Sequence, residues 1–229
     1  MLNVRDLHVS YGMSEVIHGV SLDVGSNETV AIMGRNGMGK TTLFKSLIGM
    51  LPSSSGGITF HGEDLTKAQP YQRVSSGIAY VPQGRMVFPT LTVEENIMAG
   101  LEASGRKKVP EDIYELFPVL LEMRHRKAGN LSGGQQQQLA IGRALAANPK
   151  VLLLDEPTEG IQPSIIKQLA TTLNEIKVKR KISIVVSEQV LSFALNVADR
   201  MLVMDKGKIV HEAAGDQIDK AYISRFLSV

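Results

Sequence analysis

The stretch Gly34-Arg-Asn36-Gly37-Met38-Gly39-Lys40-Thr41 constrains this chain more than any other. It satisfies the spacing G-x-x-x-x-G-K-[ST]. It stands between a compact apolar run at residues 29–33 and a segment at residues 40–50 whose apolar residues recur at helical spacing. Strand, glycine-rich loop and helix form the context in which that spacing holds phosphate. Glycines let consecutive backbone N–H groups turn inward toward phosphate oxygens, and the helix N-terminus adds the positive end of its dipole. Lys40 has the reach for the β- and γ-phosphates, and the Thr41 hydroxyl suits a Mg²⁺ ion. Gly34, Asn36, Gly37, Met38, Gly39, Lys40, Thr41 and Thr42 are therefore candidate nucleotide contacts.

The acidic counterpart comes much later. Val151-Leu-Leu-Leu-Asp155-Glu156 reads as a strand buried on both faces that ends in two carboxylates. Ligands of parallel α/β sheets sit at the carboxyl ends of strands. Asp155 there would hold the metal opposite Thr41, and Glu156 would polarise or deprotonate an attacking water. The rest of the chain supports such a sheet. Strand-like runs are expected at 2–9, 21–24, 57–61, 183–187 and 201–204, and helices at 135–147, 164–179 and 190–197. Strands alternating with helices predict a mostly parallel α/β core. Residues 86–144 differ, reading as a helical insertion. There Thr92 and Glu95 form a capping box and residues 110–123 are periodic. The glutamines at 136–138 are expected on a polar helix face.

Composition narrows the setting. Lys plus Arg is 25 and Asp plus Glu is 23, a balance of +2 that gives no basic footprint for nucleic acid. There is no cysteine, hence no disulfide and no thiolate metal site. The N-terminus carries charge and lacks the apolar core of about 7–15 residues of a signal peptide. No apolar run reaches the length of about 18 residues that suggests a membrane span. A soluble chain is expected, able to dock on a membrane protein.

A second glycine-rich helix start, Leu131-Ser132-Gly133-Gly134-Gln135, precedes the helix at 135–147. Alone it is a weak signal, because Ser and Gly are common at helix N-caps. Beside the first loop it suggests that two copies share two nucleotides. With these motifs in hand, the chain resembles the ATP-binding cassette family over essentially its whole length. The resemblance implies a P-loop cassette with a mostly parallel core, an antiparallel β subdomain and an inserted helical subdomain. Residues 1–85 and 145–229 would form the core and β subdomain, and residues 86–144 the insertion. It also implies ATP and Mg²⁺ as cofactors. Ser132, Gly133, Gly134 and Gln135 look like the family signature, and Tyr11 like the aromatic that stacks on adenine. Gln83 looks like the glutamine that touches Mg²⁺ and water.

Two positions depart from the family pattern. Gln162 stands where an Asp is usual, and Gln189 where a His usually contacts the γ-phosphate. Glutamine can donate a hydrogen bond to phosphate but cannot carry positive charge, so Gln189 acts without a cation or else merely caps the following helix. These departures are similar to one branch, the ATPase subunits of branched-chain amino-acid and urea importers, with the urea type the nearer. The branch implies a second cassette subunit, identical or not, transmembrane permease subunits and, indirectly, a solute-binding protein. It implies no nucleic acid and places the chain on the cytoplasmic face of a bacterial inner membrane. Arg85, Met86 and Phe88 would line the groove for a permease helix. The competing readings are an exporter or envelope-lipid ATPase, and a soluble cassette acting on ribosomes or DNA. Residues 216–229 form an amphipathic stretch expected to pack on its own domain.

Overall fold

The computed structural model describes residues 1–227. The chain opens with a long hairpin, β1 (Leu2–Tyr11) and β2 (Ser14–Val24). Leu2, Val4, Leu7 and Val9 of β1 and Ile17, Val20, Leu22 and Val24 of β2 are buried, as one face of a pleated pair requires. The chain then runs through β3 (Thr29–Met33), α1 (Lys40–Leu47), β4 (Ser55–Phe60) and β5 (Glu63–Asp64). Strands β2-β1-β4-β5 pair antiparallel in a small sheet. The next elements are α2 (Pro70–Ser76) and β6 (Ile78–Val81).

Four helices follow: α3 (Val93–Met98), α4 (Glu111–Leu116), α5 (Pro118–Glu122) and α6 (Gly133–Ala146). The expected capping box starts α3: the Glu95 N–H donates to Thr92 Oγ1 at 3.2 Å, and the Thr92 N–H donates to Glu95 at 2.7 Å. The periodic segment 110–123 is two helices rather than one. Pro118 disfavours helical backbone at Phe117, which sits at φ −133°, ψ 72°. Gly142 lies inside α6, where glycine is normally a cost. A Cβ there would stand 3.2 Å from Leu120 and 3.3 Å from Ile113, so the glycine lets α6 lie close against α4 and α5. The expected polar face of α6 is a correction. Gln137 and Gln138 are buried, and Gln136 donates to the Ala128 carbonyl at 3.2 Å.

The chain closes with β7 (Val151–Asp155), α7 (Pro163–Arg180), β8 (Ser183–Glu188), α8 (Leu191–Val197), β9 (Arg200–Asp205), β10 (Lys208–Ala214) and α9 (Lys220–Leu227). The large sheet has the order β10-β9-β3-β8-β7-β6, parallel except for β10. Its inner strands are covered on both faces, which explains their unbroken apolar runs. Ala31 and Met33 of β3 join Leu152 and Leu154 of β7 in the core shared with α3–α6. Val30, Ile32, Val151 and Leu153 point the other way, into the core closed by α1 and the small sheet. The fold is thus the mixed α/β architecture expected. Of the amphipathic end, Ile223 is buried, Tyr222 lies 4.6 Å from the His211 ring, and residues 228–229 fall outside the described residues.

Candidate functional site

Parallel strands carry all their carboxyl ends to one edge. In this sheet β3, β8, β7 and β6 are consecutive neighbours, so four loops distant in sequence meet there. They carry the glycine-rich loop, Gln189, the Asp155-Glu156 pair and Gln83. A cavity of about 220 Å³ opens between the loops after β3, β7 and β6. Its walls are the loop from Asn36 to Thr42 apart from Met38, with Gln83, Glu156 and Val16 of the neighbouring hairpin.

Lys40 is the centre of the arrangement. Only 3% of it is exposed, and its Nζ donates to the Gly34 carbonyl at 2.6 Å and the Arg35 carbonyl at 2.9 Å. It also pairs with Glu156 Oε1 at 2.9 Å. The other oxygen of Glu156 accepts from Gln83 Nε2 at 3.3 Å. Gly39, at φ 103°, makes the turn that brings α1 to the cavity, a conformation that needs glycine. Glu156 itself has φ 47°, an unfavourable region for a side-chain-bearing residue. Its N–H donates to both the carbonyl and the hydroxyl of Ser187, each at 3.1 Å, which fixes this conformation.

Asp155 is buried next to the cavity. Its Oδ1 accepts from the Ser187 hydroxyl at 2.6 Å and its Oδ2 from the Tyr80 hydroxyl at 3.1 Å. Burial, and then the adjacent carboxylate, push the Tyr80 phenol well above its ordinary pKa, so it stays a donor. The carboxylate therefore has neutral partners only, which leaves its charge available to a cation. The oxygen donors Thr41, Gln83 and Asp155 suit a hard ion such as Mg²⁺. No group of three or more His, Cys, Asp or Glu among the described residues forms a metal cage.

Other expected residues lie apart from the cavity. Tyr11 ends β1 at the tip of the hairpin and is 49% exposed. Met38 packs toward β9–β10, where its carbonyl accepts from Gly207 at 3.0 Å. Ser132 and Gln135 form a capping box at the start of α6, the Ser132 N–H donating to Gln135 at 2.9 Å and the Gln135 N–H to Ser132 at 3.4 Å. Neither they nor Gly133 and Gly134 line the cavity. Gln189 is exposed and does not cap α8. Glu188 holds the backbone leading into α8: its carboxylate accepts from the Gln189 and Val190 N–H groups at 3.0 and 3.1 Å. Glu188 also accepts from Thr158, from the hydroxyl at 2.7 Å and from the N–H at 3.1 Å. Burial raises its pKa against the pull of these bonds. Glu188, Ser187 and Tyr80 escaped the sequence reading.

A second cavity of about 840 Å³ lies between α2, the start of the insertion and α6. Tyr71, Met86, Phe88 and Arg143 are among its walls. Met86 and Phe88, two of the three residues expected at a permease groove, line this cavity. Arg85 does not, because its guanidinium turns away to the Glu159 carbonyl at 2.7 Å.

Comparison with known proteins agrees with this geometry. The family model described as "ABC transporter" matches residues 17–159. The chain is 39% identical over 218 residues to the high-affinity branched-chain amino acid transport ATP-binding protein BraG of Pseudomonas aeruginosa, covering 94% of this chain and 93% of that protein. It is 34% identical over 224 residues to the lipopolysaccharide export system ATP-binding protein LptB of Haemophilus influenzae, covering 95% and 92%. Among solved structures, the ADP conformation of an ATP-binding cassette of an ABC transporter superposes with a TM-score of 0.79 at 31% identity, covering 99% of this chain and 94% of that one.

Proposed function

The chain belongs to the ABC transporter family as an ATP-hydrolysing subunit, and from that premise we propose that it energises an importer of branched-chain amino acids or of urea. The observation that carries the catalytic part is the meeting of Lys40, Glu156 and Gln83 in one phosphate-sized cavity beside Asp155. The importer part rests on the similarity to BraG along nearly the full length. The urea variant rests on the strings around Gln83, the signature and residues 155–166.

The proposed reaction follows from the residues. Incoming phosphates replace Glu156 as the anionic partner of Lys40. Glu156, released but still beside Gln83, then takes a proton from the attacking water. Lys40 and the N–H groups of the glycine-rich loop face charge on the transferring phosphoryl, and Gln189 donates a hydrogen bond to it. Mg²⁺ held by Thr41, Gln83 and Asp155 would neutralise charge on the β- and γ-phosphates. Tyr11 stacks on the base outside the phosphate cavity.

At about 220 Å³ the cavity falls below the usual ligand range of ~300–1,000 Å³, which supports a site completed by a second surface. We assign that surface to Ser132, Gly133, Gly134 and Gln135 of a second cassette. The N–H groups of Gly133 and Gly134 open α6 at the positive end of its dipole, suited to a phosphate. We divide the chain into a core, residues 1–85 and 145–229, and an insertion, residues 86–144, so that the two halves of the site lie on separate bodies. The groove at Met86 and Phe88 takes a short helix of a permease subunit. No helix among the described residues is long and apolar enough to cross a membrane. The similarity to transporter ATP-binding proteins such as BraG supports our placing the chain peripherally, on the cytoplasmic face of a bacterial inner membrane.

Two further results are expected. Tyr11→Ala weakens ATP binding by about 1–3 kcal/mol, the worth of one base–aromatic stack, measured by titration calorimetry. Gln189→Ala lowers turnover without changing Tm, because the Gln189 side chain is exposed and does not cap α8. An unchanged rate would remove Gln189 from the mechanism. The importer reading is tested by uptake of labelled leucine and labelled urea in the native host lacking this gene, complemented by the wild type or by Glu156→Gln. Loss of uptake of one solute, restored by the wild type alone, is expected. Undiminished uptake of both would sink the reading. The likeness to LptB gives the exporter alternative its one specific support, and normal lipopolysaccharide at the surface of that mutant would count against it.

A further inference from the structure

The segment after Gln83 bends through three consecutive left-handed residues: Gly84 at φ 77°, Arg85 at φ 68° and Met86 at φ 45°. Two of the three carry side chains, for which this conformation is unfavourable. The bend has a visible result. It sends Met86 and Phe88 to the groove and Arg85 away from it, to the Glu159 carbonyl.

Arg85 enters a slot between two glycines from different parts of the chain. A Cβ at Gly133 would stand 3.2 Å from Arg85 Nη1 and 3.3 Å from Nη2. A Cβ at Gly160 would stand 3.5 Å from Nη2. The same Nη2 donates to the Glu159 carbonyl at 2.7 Å, in the turn that follows Glu156. Gly134 adds a contact beside this slot, since a Cβ there would stand 2.8 Å from Ile165 Cγ2 of α7. The planar guanidinium thus lies between the first turn of α6 and the turn after the acidic pair, one on the insertion and one on the core.

The other end of the bend is held from the groove. Arg143 Nη2 donates to the Met86 carbonyl at 2.8 Å, and its guanidinium lies 4.9 Å from the centre of the Phe88 ring. Groove wall, bend, signature loop and acidic turn are therefore joined by direct contacts.

We propose that Arg85 is a positioning residue: it fixes the start of α6 against the turn following Glu156, and it links both to the groove wall at Met86 and Phe88. This rests on the ATPase reading of Glu156 and of the signature loop. It predicts that losing the guanidinium frees the insertion relative to the core while leaving the phosphate cavity intact.

The chain has no cysteine, so introduced ones can be labelled selectively. Spin labels at Leu121→Cys on α5 and Lys167→Cys on α7, both exposed, report the distance between insertion and core. Arg85→Ala is expected to broaden that distance distribution. Affinity for ATP and Tm should be kept, and kcat should fall by about tenfold to a hundredfold, the effect of misplacing reacting groups by about 1 Å. Arg85→Lys, with one donor for Glu159 but no planar fork, should restore part of the rate and narrow the distribution. Should Arg85→Ala fail to fold, Arg85→Lys carries both measurements. A distance distribution identical to that of the wild type overturns the proposal, as does an unchanged kcat. If Glu156→Gln also leaves turnover unchanged, the ATPase reading fails. If Glu156→Gln abolishes turnover and Arg85 variants do not lower it, only the positioning role fails.

Discussion

Glu156→Gln is expected to lower ATP turnover by about 10²–10⁴-fold, the range of a lost general base, while ATP binding persists. Glutamine keeps the volume: its carbonyl oxygen can accept from Lys40, and its amide N–H can donate to the Gln83 carbonyl oxygen once that amide turns over, so the cavity keeps its shape. What disappears is the charge that takes a proton from water. The same charge holds Lys40 at 2.9 Å, in competition with phosphate. Its removal should therefore strengthen ATP binding, measured by calorimetry. It should also trap two chains around uncleaved ATP, visible as a dimer in size-exclusion chromatography with light scattering. Turnover at the wild-type rate would remove Glu156 from the proposed mechanism.

Lys40→Ala is expected to abolish measurable ATP binding and also to lower stability. The two effects have different origins. Binding is lost because Lys40 is the cation at the centre of the cavity. Stability falls because Glu156, 7% exposed, would be left without its cation. Breaking a buried ion pair by removing one partner costs about 3–5 kcal/mol. The double variant Lys40→Met with Glu156→Gln separates them. It removes both charges, so thermal unfolding should return toward the wild type while ATP binding stays lost. ATP affinity retained in Lys40→Ala would overturn the assignment of the loop.

The motifs that lie within one short stretch could be read from the sequence directly. The glycine-rich loop, the acidic pair and the capped start of α6 each carry their geometry in local spacing, and the α/β alternation follows from runs such as Val151–Asp155. Features that depend on pairing between distant strands could not be read. Ser187 reaches Asp155 because β7 and β8 set those two residues opposite each other. Tyr80 reaches Asp155 because β6 lies alongside β7. Glu188 holds Thr158 for the same reason, across the loops that follow β7 and β8. The break at Phe117 was announced by Pro118, whereas β2 was only half visible because Glu15 and His18 on its open side interrupt the apolar pattern. The burial of Gln137 and Gln138 has no local signal at all, being imposed by what packs around α6.

The order of the large sheet also bears on how the chain is made. Strand β3, which leads into the phosphate loop, pairs with β8 and β9 and with no earlier strand. Its neighbours thus leave the ribosome long after β3 itself. Until they emerge, the phosphate loop has no sheet beneath it, however early it was synthesised. Such long-range closure is slow compared with local helix formation. ATP is therefore expected to bind only after β9 has emerged and docked, and its binding during translation would report that residues up to about 205 are in place.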